Sequence, residues 1–122
     1  MKEFKLIVAG GRDFTNDQMM REHLDRLAHG GPLDEYAVSI VSGMARGADM
    51  LGFQFARKHN VKVYQFPADW NQHGKAAGFI RNKQMGDFAD GLLAFWDGES
   101  RGTKQMIEYM QSLGKPTYVI RY

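Results

Sequence analysis

Four short segments of this chain pair glycines with a cationic side chain. They are Gly10-Gly11-Arg12-Asp13, then Ser42-Gly43-Met44-Ala45-Arg46-Gly47-Ala48-Asp49, then Gly74-Lys75-Ala76-Ala77-Gly78 with Arg81-Asn82 just beyond, and finally Asp97-Gly98-Glu99-Ser100-Arg101-Gly102-Thr103. Glycine lets a backbone come close to an anion and present its N–H groups. Arginine adds a planar fork of donors matched to phosphate or carboxylate. Ser42, Ser100 and Thr103 can add hydroxyl bonds. Asp13, Asp49, Asp69 and Asp97 could hold sugar hydroxyls or orient the arginines, and Trp70 and Trp96 carry flat faces on which a base could stack. The chemistry these types suggest is recognition of a phosphate-bearing ligand. Each piece also has a plainer use: the glycines suit tight turns, Asp49 suits a helix cap, and Trp96 suits the core.

The elements that carry these segments alternate. Strand patterns cover Phe4–Ala9, Ala37–Val41, Val61–Phe66, Leu92–Trp96 and Thr117–Ile120. Helix patterns, with apolar residues three or four apart, cover Asn16–His29, Ala48–His59, Ala76–Ala89 and Thr103–Leu113, and a long loop covers Ala68–Lys75. Asn60 is placed to end the second helix in a left-handed conformation. Strands joined by helical crossovers pair in parallel, with right-handed connections and helices on both faces. The pattern predicts a Rossmann-like, doubly wound five-stranded α/β sheet, formed as a single domain over residues 1–122. Each cationic glycine segment follows a strand, so all four fall on one edge of the sheet, where open parallel sheets bind ligands. The opposite edge, with Gly30-Gly31-Pro32-Leu33 and His59-Asn60, carries no such pattern.

Composition narrows the classes. The 122 residues are 43% hydrophobic and 25% charged, ordinary globular values that argue against disorder. There is no cysteine, which removes disulfides and thiolate chemistry, and no apolar run reaches the ~20 residues of a membrane span. Met1 to Lys5 leads directly into a strand pattern, so no secretory leader and a cytoplasmic location are expected, without a membrane partner. The four histidines lack metal-ligand spacing, so neither a metal nor a cofactor is expected. Sixteen basic residues against fourteen acidic ones disfavour a nucleic-acid partner on charge alone. No G-x-G-x-x-G follows the first strand, and Gly74-Lys75 is followed by Ala76 rather than Ser or Thr, which disfavours a P-loop ATPase and a conventional NAD enzyme.

The segments VAGGRDF, VSGMARGAD, FPADW with GKAAGFIRNKQM, and AFWDGESRGT together resemble the SLOG superfamily of Rossmann-like domains, with the closest likeness to its YspA-type, YpsA-related branch. The Ser42-Gly43-x-Ala45-x-Gly47-x-Asp49 run and the Arg81-Asn82 pair are similar to motifs of the Smf/DprA DNA-processing proteins. Arg81 with Met85, and Gly102-Thr103, resemble parts of the LOG phosphoribohydrolase motifs. That resemblance implies binding or sensing of a nucleotide or nucleotide-derived ligand, NAD-derived or cyclic ones included. The gathering of cationic glycine loops on one edge predicts ligand contacts from Gly10, Gly11, Arg12, Ser42, Gly43, Arg46, Gly47, Asp49, Asp69, Trp70, Lys75, Arg81, Asn82, Asp97, Ser100, Arg101, Gly102 and Thr103. The LOG relatives pair with themselves, and the methionine-rich helices suit adaptable interfaces, so a homo-oligomer is expected. Two alternatives stand beside binding: nucleotide N-glycosidase activity, and DprA-like binding of single-stranded DNA. The LOG pattern has a glutamate three residues after the threonine, where this chain has Met106. An enzyme would need a carboxylate from Asp97, Glu99 or Asp69, with Arg81 in support.

Overall fold

The structure, a computed structural model, describes all residues from Met1 to Tyr122. Its strands are β1 (Glu3–Gly10), β2 (Ala37–Ser42), β3 (Val63–Gln65), β4 (Gly91–Trp96) and β5 (Thr117–Arg121). Its helices are α1 (Asp17–Ala28), α2 (Ala48–Lys58), α3 (Trp70–His73), α4 (Ala77–Phe88) and α5 (Arg101–Ser112), with a single 3-10 turn at Gly74–Ala76. All strand pairs are parallel and the sheet order is β3-β2-β1-β4-β5. This is the doubly wound Rossmann-like sheet expected from the alternating pattern. The first three strands advance in one direction, and the chain then crosses back to lay β4 on the other side of β1. The order therefore reverses between β1 and β4, and a crevice opens beyond their carboxyl ends.

Strand alternation sorts the core into two layers. Leu6 and Val8 of β1 and Leu93 and Phe95 of β4 join Met20 and Leu24 of α1 and Ala48 and Ala56 of α2 on one face. Ile7, Ala9, Leu92 and Ala94 point the other way, onto Met85 of α4 and Met106, Ile107 and Met110 of α5. Both faces of β1 and β4 are buried, which explains their nearly continuous apolar sequence.

Differences from the sequence expectations lie at element ends and in the loop after β3. β3 holds only three residues and, as an edge strand, pairs with β2 alone, from Ile40↔Val63 to Ser42↔Gln65. The loop from Ala68 to Lys75 contains the short helix α3, whose first turn is capped by the Asp69 carboxylate accepting from the Gln72 N–H at 3.0 Å. α5 begins two residues early, at Arg101. Asn60 adopts the expected left-handed conformation with φ 55°.

Candidate functional site

The four glycine segments converge on the crevice, a cavity of about 690 Å³ at the switch point of the sheet. Tight backbone contacts fix the first two segments to each other. The Gly11 N–H donates to the Phe95 carbonyl at 3.1 Å, and the Gly11 carbonyl accepts from Phe14 and Ala48, both at 3.2 Å. Gly47 has φ 86°, and a Cβ there would run into the Gly11 carbonyl oxygen and come 2.7 Å from Arg12 Cα. A Cβ on Gly10 would likewise run into the Phe95 carbonyl oxygen. Glycine at these positions thus lets β1, β4 and the start of α2 meet.

Arg81 and Asn82, side by side on α4, brace the remaining segments. The Arg81 guanidinium donates through Nη1 to the carbonyls of Gly43 and Phe66, and through Nε to Asn82 Oδ1 at 2.9 Å. The Asn82 amide donates to Gln105 Oε1 at 2.8 Å and to the Gly102 carbonyl at 3.3 Å. One pair of neighbouring residues therefore links the loops after β2 and β3 to the start of α5. Both side chains also line the cavity, and Arg81 Nη2 has no protein acceptor.

Asp49 faces Arg81 from α2 across Gly43, whose Cβ, if present, would lie 2.6 Å from the carboxylate and 2.7 Å from the guanidinium. Burial pushes the Asp49 carboxyl up from 3.8 to about 6, against the opposing pull of Arg81 and of the Ala45 and Gly10 N–H groups. Burial likewise lowers the Arg81 guanidinium below its ordinary value. The N-cap of α2 is Gly47, with no side-chain capping bond, so Asp49 is not the cap that its sequence position suggested.

Arg12, Arg46 and Lys75 also line the cavity, and none has a carboxylate within 4 Å; the ion pairs of the chain are Arg21–Asp17 and His29–Asp25. Gly102 and Thr103 bring the first turn of α5 to the same wall. Ser100, the N-cap of that helix, makes no capping bond to it, so the leading N–H groups of α5 have no capping side chain. Ser100 and Thr103 share a hydroxyl contact at 3.2 Å.

Several expected site residues lie elsewhere. Arg101 and Glu99 are exposed and outside the cavity lining, because α5 starts at Arg101 and directs Gly102 and Thr103 inward instead. Ser42 is fully buried, and its hydroxyl is consumed by the Asp49 carbonyl at 2.9 Å and the Met44 N–H at 3.1 Å. Gly47 serves the seam with Gly11, and Asp69 caps α3. Gly43 opens onto an adjoining cavity rather than the main one. Asp97 does line the crevice, but its Oδ1 accepts the Glu99 and Ser100 N–H groups, each at 2.8 Å, and these bonds hold its carboxyl below the usual range. Trp96 lies outside the lining, with its indole N–H on the Ser100 carbonyl at 3.1 Å and the Arg121 guanidinium 5.2 Å from its ring centroid. Trp70 lines the crevice and is 51% exposed.

Sequence reasoning missed Phe79, which lines the same mouth and is 47% exposed. Its signal was present: it stands off the apolar stripe formed by Ile80, Met85 and Phe88. It also missed the C-terminal Tyr122, whose hydroxyl donates to Asp13 Oδ1 at 2.5 Å and lies against Gly11. Nothing local signals a contact across 109 positions.

Comparison with known proteins agrees with this architecture. DNA processing protein A from Helicobacter pylori, in a structure that addresses its single-stranded DNA binding mode, superposes with a TM-score of 0.70 at 20% identity, covering 98% of this chain and 66% of that one. The Gene 61 protein of Mycobacterium phage D29 is 33% identical over 118 residues, covering 92% of each chain. The sequence model of the YspA, cpYpsA-related SLOG family matches residues 4–73, the stretch that carries the first two cationic glycine segments and stops just before the third. On this match and on the phage relative, the chain belongs to the YspA, cpYpsA-related SLOG family.

Proposed function

We propose that this protein binds a phosphate-bearing nucleotide in the crevice between the carboxyl ends of β1 and β4. The observation that carries the reading is the set of cations without carboxylate partners, Arg12, Arg46 and Lys75, on one cavity wall system with the open first turn of α5. A phosphate placed there meets backbone N–H groups, the Thr103 hydroxyl and a guanidinium together. Exposed Trp70 and Phe79 at the mouth suit the flat face of a base. The reading is binding rather than turnover. Met106, at the position of the LOG glutamate, lines the inner wall of the crevice with an apolar side chain in place of a carboxylate, while Glu108 is exposed and outside the lining. Calorimetry with AMP and with adenosine tests the proposal. AMP is expected to bind at least about tenfold more tightly than adenosine, the worth of one charge-assisted bond or more. Equal affinities would overturn it.

A second reading has its own support. The exposed aromatics beside Arg46 and Lys75, with the structural likeness to a DNA-binding neighbour, fit a single strand stacked on Trp70 and Phe79. Affinity for an oligonucleotide that falls steeply with salt, and exceeds that for AMP, would favour it.

A further inference from the structure

The crevice has a second lobe. A cavity of about 430 Å³ opens beside the main one, between Gly43-Met44 after β2 and Pro67-Ala68 after β3. Arg12, Ala45, Arg46, Trp70 and Arg81 line both spaces, so the guanidinium groups stand at a waist where the lobes meet. The lobes differ in chemistry. The larger offers Asn82, Asp97, Ser100 and Thr103, and beyond the waist it adds a single cation, Lys75. The smaller contributes only Gly43, Met44, Pro67 and Ala68 beyond the shared residues, with no carboxylate and no hydroxyl.

We propose that the two lobes form one site for a two-headed nucleotide, in which a phosphate or diphosphate bridge joins two ring-bearing groups. The bridge sits on Arg12 and Arg46 at the waist, and one base lies in the smaller lobe against Trp70. The proposal rests on the nucleotide reading above and specifies the class of ligand. A bridged molecule carries its negative charge at its middle, where this site carries its positive charge. A mononucleotide carries its charge at one end and leaves one lobe to water. The lining of the smaller lobe suits a flat, weakly polar ring, since such a group buries area there without stranding polar atoms of the protein. A long strand would need cations continuing along its track, and outside the waist the cavity provides Lys75 alone.

Calorimetry on the full chain tests this with diadenosine diphosphate against AMP, the guanine pair, and a six-residue deoxyadenosine oligonucleotide. The expected result is one two-headed molecule per chain, bound at least about tenfold more tightly than the matching mononucleotide in one of the two pairs. Ala68→Trp, which fills the smaller lobe, should bring that ratio to within about twofold of unity while some mononucleotide affinity remains. Wild-type ratios near unity in both pairs would overturn the proposal even if Ala68→Trp failed to fold, and would leave the nucleotide reading standing. An undiminished ratio in a folded Ala68→Trp, or an oligonucleotide bound more tightly than either two-headed molecule, would also overturn it. Failure of every probe to bind would remove the nucleotide reading as well.

Discussion

Arg12 and Arg46 differ from Arg101 in a way that composition hides. All three follow or adjoin glycines after a strand, but only the first two reach the crevice, because α5 begins at Arg101 and turns its side chain outward. Arg12→Ala and Arg46→Ala are each expected to weaken a nucleoside monophosphate at least about tenfold. Arg101→Ala is expected to leave that affinity within about twofold, which parallel titrations check. Asp49 supports a prediction about pH. Burial pushes its carboxyl in the folded chain up to about 6 from the ordinary 3.8 of an exposed aspartate, so the folded chain holds this proton more tightly than the unfolded chain does. The resulting penalty is absent below about pH 4, grows as pH rises, and is complete above about pH 6. It is on the order of 3 kcal/mol for a shift of about two units. Melting curves should show the wild type losing stability relative to Asp49→Asn between pH 4 and 6, and a constant difference across that range would refute the assignment.

Among the elements, the seam between the β1 loop and the start of α2 does most to shape the site. Gly47→Ala would force a positive φ on a residue with a Cβ and push that Cβ into the Gly11 carbonyl. The expected cost is at least about 1–2 kcal/mol from the backbone conformation, with more from the clash. Thermal unfolding should report it, and an unchanged midpoint would show that the seam adjusts freely. The order of strands and helices, and the edge on which the loops gather, are legible in the sequence, because each strand is an apolar run and each loop that follows it holds Gly with Arg or Lys. The α3 turn was not legible, since Trp70-Asn71-Gln72-His73 is too short to show a period and depends on the Asp69 cap.

In the molecule as a whole, what escaped the sequence is long-range pairing. Arg81 reaches the carbonyls of Gly43 and Phe66, and Tyr122 closes on Asp13 only after β5 is laid beside β4. The candidate residues could be placed on one sheet edge from their positions after strands. Which of them face the cavity depended on where α3 and α5 begin and on these distant bonds. No helix is long and apolar enough to cross a membrane. The central claim, that the switch-point crevice holds a nucleotide phosphate, is tested most directly by backbone amide NMR during titration with AMP and GMP. Saturable shifts are expected at Gly10, Gly11, Arg12, Ala45, Gly102 and Thr103, with Gly30, Gly31, His59 and Asn60 on the opposite edge unmoved. Saturation that leaves the first group unmoved, or that shifts the opposite edge instead, would contradict the account.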